Sequence, residues 1–187
     1  MARLLLPLVA LLAFTACAGD VLVKLPVHEP APDSPLAAVP PTPFTVSVAI
    51  ADGATIGGRR TTIGNSDMGA VDFAVDPRET LADLFIAELE SAGHVLAREG
   101  ENGERRLDVT IYMFAARTPA TALYWDVTGE LRTTLESTGA HYEVTVTDRT
   151  YGNPGRGIIT RLAKICLQRV AAQFREDPDV AAFLRGE

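Results

Sequence analysis

Apolar and polar positions alternate most cleanly over residues 122–136. Leu123, Trp125, Val127, Leu131 and Leu135 share one parity, with Gly129 in register; Tyr124, Asp126, Thr128, Glu130, Arg132, Thr134 and Glu136 take the other. A period of two belongs to a strand with one face on a core and one in water. Shorter runs of the same kind predict strands over 44–51 (FTVSVAIA), 70–75, 94–98, 106–115 and 141–150. Within 106–115 the inward set is Leu107, Val109, Ile111 and Met113; within 141–150 it is Tyr142, Val144 and Val146.

Two segments carry apolar residues at helical spacing instead. Asp76-Pro77-Arg78-Glu79 is a helix start, with Asp76 as N-cap, Pro77 at the first helical position and Glu79 placed to close a capping box. Leu81, Leu84, Phe85 and Leu89 then form one face, and Gly93 suits the left-handed residue after a helix end. The spacing predicts a helix over 77–92. A longer one is predicted over 156–175, with the stripe Ile159, Leu162, Cys166, Val170 and Phe174. Asp177-Pro178 starts a short last helix. Between the first strand and the first helix, residues 52–69 (DGATIGGRRTTIGNSDMG) read as a loop or irregular hairpin because of their glycines. The order strand, helix, strand meander, helix is that of an α+β fold. The expectation is a two-layer domain over 44–187, an antiparallel sheet with two long helices packed on one face.

What precedes the domain has a different texture. Met1 to Cys17 reads MARLLLPLVALLAFTAC: one cation at Arg3, an apolar run from Leu4 to Phe14, small residues, then a cysteine. A secretory signal has this layout. The apolar run is about a dozen residues, short of the roughly 20 that span a bilayer as a helix. The ending FTAC resembles the lipobox of bacterial lipoproteins, with Phe14 where Leu is usual. That resemblance implies residues 1–16 as a signal peptide and lipid, palmitate among it, on Cys17 as the mature N-terminus. An ordinary cleaved signal and an uncleaved anchor are the other two readings of the same stretch. Residues 17–43 read as a lipidated, Pro-rich tether. Seven prolines fall between Pro26 and Pro43, favouring extended polyproline II. At about 3.1 Å per residue the segment could span on the order of 80 Å. The run Val21 to Leu25 is the exception, since it could add an edge strand and shorten the free length.

Charge narrows the partners. The chain carries −7, which gives no basic footprint for nucleic acid and no general attraction to anionic lipid. Cys17 and Cys166 are the two cysteines, and with lipid on the first no disulfide is expected. Cys166 lies mid-stripe, where a small buried hydrophobe is the simple reading. His28, His94 and His141 read as surface histidines, without the spacing of a metal site. Asp126, Glu130 and Glu136 share a strand face with Arg132 and threonines, as a solvated face does. The most unusual polar stretch is Gly57-Gly58-Arg59-Arg60, followed by Gly64-Asn65. It lacks the Gly-Lys-Ser/Thr of a nucleotide loop. Two readings remain: a flexible solvated loop, or a partner-contact loop using Arg59, Arg60 and Asn65.

The chain also resembles the YajG-type family of bacterial lipoproteins. The residues that carry this are Phe44 to Ile50, Asp52, Ile56-Gly57-Gly58-Arg59 with Gly64, Leu81, Leu84 and Leu89 with Gly93, the Asn153 loop, and the helix with Cys166 and Val170. Ala54 stands where such proteins carry Arg. The resemblance implies a periplasm-facing lipoprotein of a Gram-negative envelope and brings no catalytic residue, cofactor or metal. Ala18, rather than Asp, follows Cys17; by resemblance to lipoprotein sorting in enteric bacteria this favours the outer membrane over the inner. The expected function is therefore a lipid-anchored binding or assembly module with an envelope protein partner and no catalysis. The alternative is an auxiliary lipoprotein of an ABC-type envelope lipid-transport system.

Overall fold

The computed structural model of the chain describes residues 19–61 and 66–187. These form a mixed α/β domain: seven strands in one sheet and three α-helices. The strands are β1 (Val21–Val23), β2 (Pro43–Thr61), β3 (Asp67–Phe73), β4 (Val95–Leu96), β5 (Arg105–Thr118), β6 (Trp125–Leu135) and β7 (Ala140–Thr150). The helices are α1 (Pro77–Ser91), α2 (Arg156–Glu176) and α3 (Pro178–Arg185).

The sheet runs β1-β3-β2-β5-β6-β7, with β4 beside the start of β2. It is not antiparallel throughout, which corrects the expected topology. β2 pairs with β5 in parallel, as do β1 with β3 and β2 with β4. The physical reason is the position of α1. After the β2–β3 hairpin the chain passes through this helix and returns along β2, and a parallel pair requires such a crossover. From β5 to β7 the pairs are antiparallel, as the meander predicts.

The α1 start follows from its residues. Asp76 Oδ1 accepts the Arg78 N–H at 2.8 Å, Pro77 opens the helix, and Gly93 takes φ +92° after its end. The Arg78 side chain holds the Asp76 carboxylate, and this hydrogen bond lowers the carboxyl's pKa. α2 buries the whole predicted stripe, Ile159, Leu162, Cys166, Val170 and Phe174. Leu81, Leu84, Phe85 and Leu89 of α1 join that stripe's lower part in one core with Leu107, Val109, Leu131 and Leu135 of the sheet. Gly129 lets α2 come close: a Cβ there would lie 3.1 Å from Leu162 Cβ.

Three expectations about the strands change. β5 carries a bulge at Tyr112, since Ile111 pairs with Thr133 but Met113 with Arg132. One extra residue flips the face, so Phe114 and Ala116, not Met113, continue the buried row. Leu123 precedes β6 in a turn and is 75% exposed. Residues 52–61 are strand rather than loop, because β2 continues to Thr61 past an irregularity between Ile50 and Thr55.

The Pro-rich stretch is also corrected. From Gly19 onward it is laid against the domain instead of standing off as a tether. β1 is an edge strand on β3, the role that the sequence allows the run Val21 to Leu25 to take. Further along, Leu36 and Val39 are buried in the core around a 3-10 turn at Pro35–Ala38. An apolar side chain every few residues is enough to dock a segment that proline keeps out of helix and sheet.

Candidate functional site

The Gly57–Arg60 stretch lies at the centre of the sheet, between β3 and β5. Its glycines serve close approach. A Cβ on Gly57, which has φ +80°, would lie 2.4 Å from the Val71 carbonyl oxygen; one on Gly58 would lie 1.9 Å from that of Ala116. The flexible-loop reading of these residues is therefore replaced by a tightly paired strand.

The two arginines point to opposite faces, as consecutive strand residues must. Arg59 is exposed and pairs with Asp67 at 2.6 Å, a surface ion pair of small energetic weight. Arg60 is only 5% exposed. Its Nη1 donates to the Pro154 carbonyl at 3.2 Å, and its Nη2 to the carbonyls of Met68, at 3.0 Å, and Gly19. Its Nε is buried without a partner, and no carboxylate pairs with it among the described residues. A buried cation must be compensated, and here three carbonyl dipoles from three separate segments do so. The planar five-donor fork of arginine allows this where lysine's single ammonium would not. Arg60 is thus placed as an internal clamp rather than a partner contact. Asn65 and Cys17 lie outside the described residues.

This clamp fixes the point where the N-terminal segment enters the fold. The Gly19 N–H donates to Met68 O at 2.9 Å, and Asp20 Oδ1 accepts the Ala70 N–H at 2.8 Å. The neighbouring loops belong to the same end of the sheet. The Trp125 indole N–H donates to Thr61 O at 2.7 Å, and the Thr121 N–H to Tyr124 O at 2.7 Å. Tyr124 meets Tyr151 edge-on with ring centroids 6.0 Å apart, and the Arg149 guanidinium lies 3.8 Å from the Tyr124 ring centre.

A second polar cluster holds the segment further along. Glu88 of α1 is fully buried; its Oε1 meets His28 Nε2 at 2.5 Å and Arg175 Nη1 at 2.7 Å. His28 is thus a strap onto the helices, where a surface histidine was expected. His94 is a correction of the same kind, at 3% exposure. Its Nδ1 accepts the Thr42 N–H at 3.2 Å, which leaves the proton on Nε2, facing Leu36 O at 3.3 Å. Burial lowers its pKa against the smaller opposing effect of that carbonyl. Cys166 is fully buried, and burial pushes its thiol up to about 11. Tyr142 donates to Asp177 Oδ2 at 2.8 Å, and burial raises its pKa far above the ordinary phenol range. Among the described residues no group of three His, Cys, Asp or Glu could hold a metal ion.

The fold and these clusters define a mixed α/β domain whose N-terminal segment is a built part of the sheet. No family model matches the chain, and no curated protein matches it. A solved structure described only as "Crystal structure of uncharacterized protein" is similar at 12% identity and a TM-score of 0.40, over 84% of this chain and 97% of that one. A likeness of that size names neither a family nor an activity. No helix among the described residues is long and apolar enough to cross a membrane.

Proposed function

We propose that the protein is a YajG-like, lipid-anchored envelope lipoprotein, a two-layer α+β binding or assembly module without catalysis, held at the outer membrane and facing the periplasm. The observation that carries this is the run from Arg3 to Cys17: a cation, a short apolar stretch, two small residues and a cysteine. The clamp at Gly19 supports it, since a domain fixed to its chain two residues after Cys17 is one that a lipid on that residue would hold directly. Of Arg59 and Arg60, Arg59 is the one exposed to an envelope protein partner, which would share it with Asp67. The polar face of the sheet, with Arg132 paired to Glu143 at 2.7 Å, is open beside it.

Labelled palmitate should enter the wild-type protein and not Cys17→Ser, and the variant should leave the membrane fraction. Density-gradient fractionation of the wild type should place it with outer-membrane markers. A Cys17→Ser protein that stays membrane-bound after a high-salt wash would overturn lipid anchoring, and migration with inner-membrane markers would overturn the location.

A further inference from the structure

We propose that the end of the sheet where Gly19 is clamped is a membrane-seating surface, with Leu123, Tyr124 and Tyr151 entering the headgroup region of the bilayer that holds the Cys17 lipid. This rests on the lipoprotein reading and goes beyond it, because a lipid anchor alone fixes no orientation.

The first argument is distance. Gly19 is held by its own N–H on Met68 and by Arg60 on its carbonyl. Cys17 is two residues earlier. A chain extends at most about 3.6 Å per residue, so the Cys17 Cα lies within about 7 Å of the Gly19 Cα whatever path it takes. The polar region on each side of a bilayer is of similar thickness, since about 30 Å of hydrocarbon sits within about 40–45 Å in all. A lipid on Cys17 therefore brings this end of the domain to the headgroups. The reach expected of a free tether is not available.

The second argument is what this end presents. β1 runs parallel to the last three residues of β3, so Gly19, two residues before β1, lies beside Met68, where β3 starts and β2 ends. β5 ends there, β6 begins there and β7 ends there, by the register of the sheet. The turn before β6 and the turn after β7 are thus brought beside Gly19, through Trp125 on Thr61 and Arg60 on Pro154. Leu123 and Tyr151 on these turns are each 75% exposed, and Tyr124 packs against Tyr151 between them. A branched aliphatic and two phenols suit a membrane interface, where an amphipathic ring places its apolar body inward and its hydroxyl among headgroups. Arg156, exposed at the start of α2, adds a cation at phosphate depth. Three side chains make a weak binding surface by themselves. Beside an anchor their insertion is intramolecular, and the effective concentration supplied by the anchor makes a small patch sufficient.

The test uses the full lipidated protein in vesicles of phosphatidylethanolamine and phosphatidylglycerol. Leu123→Cys and, as a second position, Tyr151→Cys are labelled with an environment-sensitive NBD probe; Cys166 is buried and Cys17 carries the lipid, so the label goes to the new thiol. Glu136→Cys, in the exposed turn at the far end of β6, is the control. Emission from 123 and 151 should shift to the blue on vesicles and be quenched by nitroxide-bearing lipid, while emission from 136 changes in neither way. Water-like emission at 123 and 151 from protein that floats with the vesicles overturns the seating and leaves the anchor standing. Shielding of these positions in native envelopes but not in vesicles overturns it too, since a protein then covers the patch. A protein that carries no lipid and does not float overturns the anchor, and the seating with it.

Discussion

Arg60→Met removes the clamp while keeping an unbranched side chain of similar length. Three carbonyls, those of Gly19, Met68 and Pro154, then lose a charged donor. Met68 O keeps the Gly19 N–H at 2.9 Å, and Gly19 is exposed where Pro154 is buried, so the full loss falls on the Pro154 carbonyl and a smaller one on that of Gly19. A buried acceptor left without a donor costs about 1–3 kcal/mol. Some of that is recovered, because the guanidinium no longer has to be desolvated and its Nε is buried without a partner. The expected cost is about 1–3 kcal/mol, a sizeable fraction of the 5–15 kcal/mol that holds an ordinary domain. The loss should begin locally: amides of residues 19–23 should exchange faster than those of β6 even without denaturant, since β1 is a three-residue edge strand. Urea unfolding followed by the fluorescence of the single tryptophan gives the global term, and amide exchange the local one. Arg60→Lys should behave like Arg60→Met, since one ammonium cannot serve three separated carbonyls. An unchanged urea midpoint, with residues 19–23 as protected as in the wild type, would refute the clamp.

Other outcomes follow from the same packing. Trp125→Ala should cost about 3–5 kcal/mol, since the ring is 7% exposed and its N–H is engaged. Glu130→Ala, which removes only the pair with Arg117 at 3.2 Å, should cost no more than about 1 kcal/mol; a native tryptophan emission already at the unfolded wavelength would contradict the burial. Gly58→Ala would press a methyl onto the Ala116 carbonyl and should cost about 3 kcal/mol or prevent folding; a variant as stable as the wild type would show that β2 and β5 are less tightly paired. His94 has a folded pKa below its unfolded one, so below about pH 6.5 the unfolded chain binds the extra proton and stability falls as pH drops, by at most about 1.4 kcal/mol per unit. His94→Gln, which keeps a donor and an acceptor, should flatten that slope between pH 6.5 and 5 in urea titrations, and an unaltered slope would exclude His94 as its source.

Where local pattern and packing agree, the sequence was enough. The α1 start at Asp76-Pro77, the α2 stripe through Cys166, and the β6 parity from Trp125 to Arg132 are all as periodicity predicts, while Thr134, on the polar parity, is buried. What it could not supply were pairings set by distant residues. The bulge at Tyr112 has no glycine to announce it, so Met113 keeps an apolar parity that the structure breaks. Leu123 has the right parity for a strand that starts two residues later. Parallel pairing of β2 with β5 depends on where the chain goes between them, a property of the crossover and not of either strand.

The Gly57–Arg60 stretch shows the limit most clearly. Two glycines and two cations have the composition of a loop, and the single large buried side chain among them is charged. Its acceptors come from residues 41, 8 and 94 positions away in the chain, so nothing local could mark Arg60 as interior. Burying it requires all three segments at once, and that requirement explains why the segment after Cys17 is not free. The Gly19 carbonyl is one of the three groups that solvate the cation, so releasing the N-terminus exposes or orphans a charge. A length of chain that proline makes unsuited to helix or sheet is thereby held at its start by an arginine, at its middle by His28 on Glu88, and at its end by Leu36 and Val39 in the core. Three fastenings of different chemistry along some twenty residues are more than solubility needs. They fit a segment whose work, on the lipid anchoring proposed for Cys17, is to fix the angle between the domain and that anchor.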